Sequence, residues 1–162
     1  MADEKLDLKH FLPEGWQGKY PPCQIQVNPQ GELLGEGRPM IHPGIRELVF
    51  NSMHRDEDGV YYLEIDGKRC QLEVADTFYV VTAIDLSGPG ARITLNDGKS
   101  ETLDPTTLSI GKEDVLYCRV KQGSFPARFA RGAYYQLVEN VVEQGNGFAL
   151  DLGGRLFGIA TQ

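Results

Sequence analysis

The sequence predicts an α+β fold of two small related units, each a helix packed against mainly antiparallel strands. Three observations lead there. Nineteen glycines and nine prolines punctuate the 162 residues, which implies many turns and short elements. Between them run short stretches that alternate apolar and polar residues, the period of a strand with one buried face. A helical pattern followed by a Gly-turned hairpin then occurs twice: PGIRELVFNSM with GVYYLEIDGKRCQL, and FPARFARGAYYQLVENVV with GFALDLGGRLFGI. At an offset of 87, Leu63, Glu64, Ile65, Gly67 and Leu72 fall on Leu150, Asp151, Leu152, Gly154 and Ile159. The helices need a further shift of two to match Leu48, Val49 and Met53 with Leu137, Val138 and Val142. Internal duplication with a small indel accounts for both.

Taken in order, residues 1–22 read as a lead-in with a short helix near 6–12. Pro21-Pro22 then favours extended backbone, and Cys23, Ile25 and Val27 alternate as a strand. Pro43 opens the first helix, with His42 at its start and Ile45, Leu48, Val49 and Met53 as its apolar face. The run from Arg55 to Gly59 is a solvated turn, and Tyr61, Leu63 and Ile65 lead into a hairpin turned at Asp66-Gly67. TFYVVTAI is the longest apolar strand. A hairpin follows around Asn96-Asp97-Gly98, then a loop or short edge element over 103–111.

Leu116, Cys118 and Val120 share a strand face opposite Val115, Tyr117 and Arg119. A second helix is expected from Pro126 onward, capped by Ser124, with Phe129, Ala133, Leu137 and Val141 repeating every four residues. The reading therefore divides the chain into a lead-in (1–22), a first unit (23–85) and a second unit with its linking hairpin (86–162).

Composition narrows the function classes. Residues 1–111 hold 10 Lys/Arg against 18 Asp/Glu, a net −8, while residues 112–162 hold 6 against 5. A field of that sign over most of the surface argues against nucleic acid. No run approaches the roughly 20 apolar residues of a membrane span, and the charged start MADEKLDLKHF lacks the apolar centre of a secretory signal. Three dispersed cysteines, Cys23, Cys70 and Cys118, fit reduced thiols better than a disulfide framework. The expected location is cytoplasmic.

Motifs for chemistry are sparse. His10, His42 and His54 form no HExxH and have no cysteine at ligand spacing, so no metal is expected. HRDEDG fails as an EF-hand because Ile65 stands where the bidentate Glu belongs. GELLGEG lacks a Walker lysine and is no GxGxxG fingerprint. No GxSxG elbow is present. Cofactors and catalytic residues are accordingly expected to be none, with Cys118 an inert strand thiol.

The polar residues that stand out are Arg128, Arg131, Tyr134 and Tyr135. A spacing of three would bring both arginines together near the start of the second helix, where forked hydrogen bonds grip a carboxylate or phosphate. Surface ion pairing with packed tyrosine rings is the competing reading. Tyr117 and Tyr79 join the candidate list from the strands expected at the junction between the units.

GELLGEGRPM (31–40), REL-V-F before MHRDEDGVYYLEI (46–65), LEVADTFYVV (72–81) and YCRV followed by FPARFARGAYYQLVE (117–139) together resemble a bacterial family, the domain-of-unknown-function family numbered 1285. The resemblance spans residues 22–160. It implies two structurally related α+β units, each with a helix embraced by strands, and a role in signalling with no established activity. FPARFAR is similar to the family's Leu-Glu-Ala-x-Ile-x-Arg segment, with Arg131 at the final arginine. The chain departs from it at Phe125-Pro126 and at His42-Pro43, where an arginine-proline pair is usual.

These readings converge on a non-catalytic module that binds a protein or a small anionic ligand, in a signalling or regulatory setting. Two alternatives stand beside it: a small hydrolase with dispersed acid and base residues in a cleft between the units, and a homodimerisation module.

Overall fold

The computed structural model describes residues 15–162, so the helix expected at 6–12 lies outside the described residues. Two compact units divide the chain: residues up to 28 with 32–75, and residues 29–31 with 76–162. The described residues form an α+β protein with two helices and two sheets.

In the first unit the elements are β1 (Pro22–Val27), β2 (Leu33–Gly35), β3 (Arg38–Pro39), α1 (Pro43–Ser52), β4 (Met53–Arg55), β5 (Tyr61–Ile65) and β6 (Lys68–Val74). Their sheet runs β3-β2-β1-β6-β5-β4. All pairs are antiparallel except β1 with β6. The hairpin turns at Asp66-Gly67, both left-handed (φ 54° and 78°), as the Asp-Gly pair demands. His42 caps α1, its Nδ1 accepting from the N–H of Gly44 at 3.1 Å and of Ile45 at 3.3 Å.

Two expectations fail in this unit. Only Val49 of α1 is buried, with Met53 following it into the core as the first residue of β4. Ile45 and Leu48 are 46% and 49% exposed, because the sheet covers a narrower stripe of α1 than the spacing of apolar residues allows. Cys23 and Cys70 are bonded as a disulfide, which corrects the reading of reduced thiols. Spacing in sequence carried no sign of it; parallel pairing of β1 and β6 brings the two side chains together across 47 residues.

The acidic turn is also more ordered than a solvated loop. Asp56 Oδ1 accepts from the N–H of Asp58 and of Val60, both at 2.9 Å, while Lys19 Nζ donates to Asp56 at 2.9 Å and Asp58 at 2.8 Å. The Lys19 hydrogen bond, followed by that of the Val60 N–H, lowers the Asp56 carboxyl to about 2.

The second unit contains β7 (Tyr79–Asp85), β8 (Arg92–Leu95), β9 (Ser100–Thr102), β10 (Ser109–Ile110), β11 (Leu116–Val120), β12 (Phe125–Phe129), α2 (Arg131–Val138), β13 (Val141–Gln144), β14 (Gly147–Leu152) and β15 (Arg155–Thr161). Its sheet runs β13-β14-β15-β10-β11-β12-β7-β8-β9. Read from the far end of the repeat, β12-β11-β10-β15-β14-β13 has the same order and the same senses as β3-β2-β1-β6-β5-β4, including one parallel pair, β10 with β15. The hairpins keep the offset of 87, since Leu63 faces Cys70 and Leu150 faces Phe157. Met53 faces Leu63 as Val141 faces Leu150, so the shift before the hairpin is one residue instead of two.

The expected second helix is divided between three elements. Residues 125–129 form β12, hydrogen-bonded between β11 and β7, and α2 begins only at Arg131. Ser124 is therefore no cap; Ala130 holds that position and offers no side-chain acceptor. A strand tolerates Pro126 because β7 pairs only with residues 127–129, so the missing N–H falls beyond that ladder. The four-residue repeat that suggested one helix ends in β13, where Val141 and Val142 already alternate against β14. Residues 109–110, expected in a loop or edge element, form the link between β15 and β11.

Asn96 ties this unit together at a close approach of backbones. Its Nδ2 donates to the carbonyls of Gly31 and Phe78, and its Oδ1 accepts from the Val80 N–H, each at 2.9 Å. A Cβ on Gly31 (φ 83°) would lie 2.7 Å from Asn96 Nδ2 and 2.8 Å from Val80 Cγ2. Only glycine fits there.

Candidate functional site

Strand pairing decides which candidate residues meet. Tyr117 stands opposite Arg128 and Arg128 opposite Val80, so these share one face of the sheet. Asp76, just before β7, joins them: its Oδ2 accepts from Tyr117 Oη at 2.6 Å and from Arg128 Nη1 at 2.9 Å. The Arg128 N–H also donates to Thr77 Oγ1 at 3.1 Å, which fixes the start of the strand against its neighbour. Burial, and then the hydrogen bond to Asp76, raises the Tyr117 phenol to about 12. It stays protonated at neutral pH and donates to the carboxylate.

Arg131 lies three residues on but belongs to α2, so the two arginines do not share a helix face as expected. They meet differently. The end of the β11/β12 ladder and the first turn of α2 enclose a depression of about 220 Å³, lined by Arg128, Arg131, Tyr134 and Tyr135 together with Glu113 and Asp114. Tyr134 and Tyr135 rings touch edge to face, with centroids 5.5 Å apart. The side chains of Arg131, Glu113 and Asp114 make no hydrogen bond or ion pair among the described residues. Four of the six candidates thus line one depression, and Tyr117 is tied to Arg128 through their shared acceptor Asp76.

Tyr79 is the exception. It pairs with Ala127 on the opposite sheet face, 6% exposed, packed edge-on against Phe125 at 5.3 Å with Lys121 Nζ 5.2 Å from its ring centroid. Its neighbours give it a packing role. All six candidates lie in the second unit.

Sequence reading missed the adjoining cleft. Leu116, Leu137, Val141 and Ile159 line a space of about 310 Å³ between α2 and the strands, with Tyr134, Val138 and Phe148 beside them. Val138 and Phe148 are 38% and 48% exposed, which leaves it open on that side. Asp114, Leu116 and Tyr134 border both the cleft and the charged depression, so the two spaces adjoin. The exposed apolar stripe of Val138 and Phe148 was the available signal. Asp76 and Asp114 carried none, because nothing in their spacing relates them to Arg128 or α2.

Other chemistry finds little footing. Among the described residues no group of three or more His, Cys, Asp or Glu could hold a metal ion. Cys118 is 2% exposed and its thiol is pushed up to about 12, first by burial, which leaves it a poor nucleophile. His54 stacks on Tyr62 with centroids 5.4 Å apart. No described helix is long and apolar enough to cross a membrane.

No family model matches the chain, and no curated protein matches it in sequence. Solved structures do match. A DUF1285 family protein from Silicibacter pomeroyi DSS-3 aligns over 94% of this chain and 86% of its own with a TM-score of 0.70 at 19% identity. A second, from Shewanella baltica OS155, aligns over 72% of this chain and 91% of its own with a TM-score of 0.59 at 16% identity. The chain has the DUF1285 fold. The resemblance carried by GELLGEGRPM, DGVYYLEI and FPARFAR thus agrees with the tertiary structure. At these identities the DUF1285 likeness is one of architecture, and the site is argued from this chain's own residues.

Proposed function

We propose that the chain is a non-catalytic DUF1285-type binding module that takes up a small ligand in the second unit, in a signalling or regulatory setting. The observation that carries this reading is the adjacency of two unlike spaces: an apolar cleft against α2 and a depression lined by Arg131, which has no side-chain partner among the described residues. Apolar walls with a few convergent polar groups are what small-molecule sites are made of, although about 310 Å³ is the small end of their range.

The hydrolase reading has less support. It needs an acid and a base held in place near a substrate; Tyr117 is held protonated, Asp76 is engaged by both Tyr117 and Arg128, and no hydrogen bond among the described residues positions the carboxylates of Glu113 and Asp114. The test is uptake of the uncharged apolar fluorophore N-phenyl-1-naphthylamine by the native protein. Val138→Asp places a charge at the cleft mouth without disturbing the buried side of α2, and should abolish the fluorescence rise while the melting temperature holds. Equal uptake by that variant would place the binding elsewhere and overturn the proposal.

A further inference from the structure

Ligand chemistry follows from the charges around the cleft, given the binding reading above. The depression next to it carries both signs. Arg128 is already neutralised by Asp76 at 2.9 Å, which leaves Arg131 as the cation there without a partner among the described residues. Glu113 and Asp114 face the same space, and Asp114 also borders the apolar cleft. A simple anion would meet Arg131 but suffer repulsion from two carboxylates; a simple cation would meet the reverse.

A molecule with an ammonium and a carboxylate on one small centre satisfies both. We infer that the ligand is a small zwitterion with an apolar side chain: an apolar α-amino acid, its carboxylate at Arg131, its ammonium at Asp114, and its side chain in the cleft beside Leu116 and Val138. Asp114 stands where the two spaces meet and Arg131 lines the charged one, and the apolar volume of about 310 Å³ has room for a leucine or phenylalanine side chain. Tyr134 borders both spaces, and its side chain carries a hydroxyl as a further hydrogen-bonding group.

The larger polar depression between β9 and β11 offers no comparable opening. There Glu101 accepts from the Lys121 N–H, Lys121 Nζ is paired with Asp97 at 2.8 Å, and Arg119 Nε donates to the Gly123 carbonyl at 3.0 Å. Its charges answer one another.

Titration calorimetry with L-leucine, L-phenylalanine, hexanoate and hexylamine separates the possibilities. The amino acids should bind at least about tenfold more tightly than either single-charge compound. Arg131→Gln and Asp114→Asn should each weaken amino-acid binding by about tenfold or more while the melting temperature holds, since neither side chain has a partner among the described residues. Hexanoate or hexylamine binding as well as leucine would overturn the inference in favour of a single charge. Amino acids failing to bind while the fluorophore still enters in a Val138-dependent way would overturn the zwitterion and leave the cleft standing. Loss of fluorophore uptake as well would remove both.

Discussion

In α1 only Val49 is buried, with Ile45 and Leu48 about half exposed; in α2, at the same place in the same strand order, Ala133 and Leu137 are wholly covered. The first unit adds to its thin helix contact a disulfide between β1 and β6 and the Lys19 bridge to Asp56 and Asp58. The second adds three strands, β7 to β9, and a core containing Phe78, Val80, Val81 and Ile93. One repeat supplements its small core with cross-links and the other with further burial, which lets the second open a cleft beside its helix and remain folded. Small cores need staples, and larger ones can spare surface for a site.

Leu137→Ala tests that contrast most strongly. It should cost the second unit about 3 kcal/mol in urea unfolding, against less than about 1 kcal/mol for Leu48→Ala in the first. Equal costs would mean that the exposed face of α1 is covered in solution, and the comparison would break. Reduction of the disulfide comes next. Cys70→Ser should lower the first unit's stability by about 2–4 kcal/mol, read as faster amide exchange in β1 and β6 with β11 and β12 unchanged.

Asp76→Asn has the smallest expected effect, about 1 kcal/mol on the second unit, since the pair it breaks is partly solvated. Its sharper readout is pH. Tyr117 binds its proton more tightly when folded, so its contribution is whole below pH 10 and is lost as pH rises towards about 12. In the variant the ultraviolet titration of Tyr117 should move down towards 10 without reaching it, because burial is the first cause of the shift and persists. An unchanged titration would remove Asp76 from the network.

Legibility of the fold differed from element to element. The hairpin at Asp66-Gly67, the face shared by Leu116, Cys118 and Val120, and the helix start at His42-Pro43 were each readable because a local rule decides them: turn chemistry, period-2 alternation and capping. Residues 125–129 were misread because Phe129, Ala133, Leu137 and Val141 have helical spacing, whereas pairing with two neighbouring strands decided the outcome. The candidate site was half legible. Arg128, Arg131, Tyr134 and Tyr135 do line one depression, but by a strand end meeting a helix start, and Tyr79 packs on the opposite sheet face from Arg128.

The sequence by itself determined the α+β class, the paired helix-hairpin pattern, the tight turns and the acidic character, all of which follow from residue type and short-range spacing. Only the tertiary structure decided that Cys23 meets Cys70, that Asp76 holds Tyr117 and Arg128 together, and that an apolar cleft adjoins the depression lined by Arg131. Those contacts span 41 to 52 residues where the hydrogen bonds and the disulfide record them. Contacts of that range are set by strand order and register, to which neighbouring residue types contribute no direct signal.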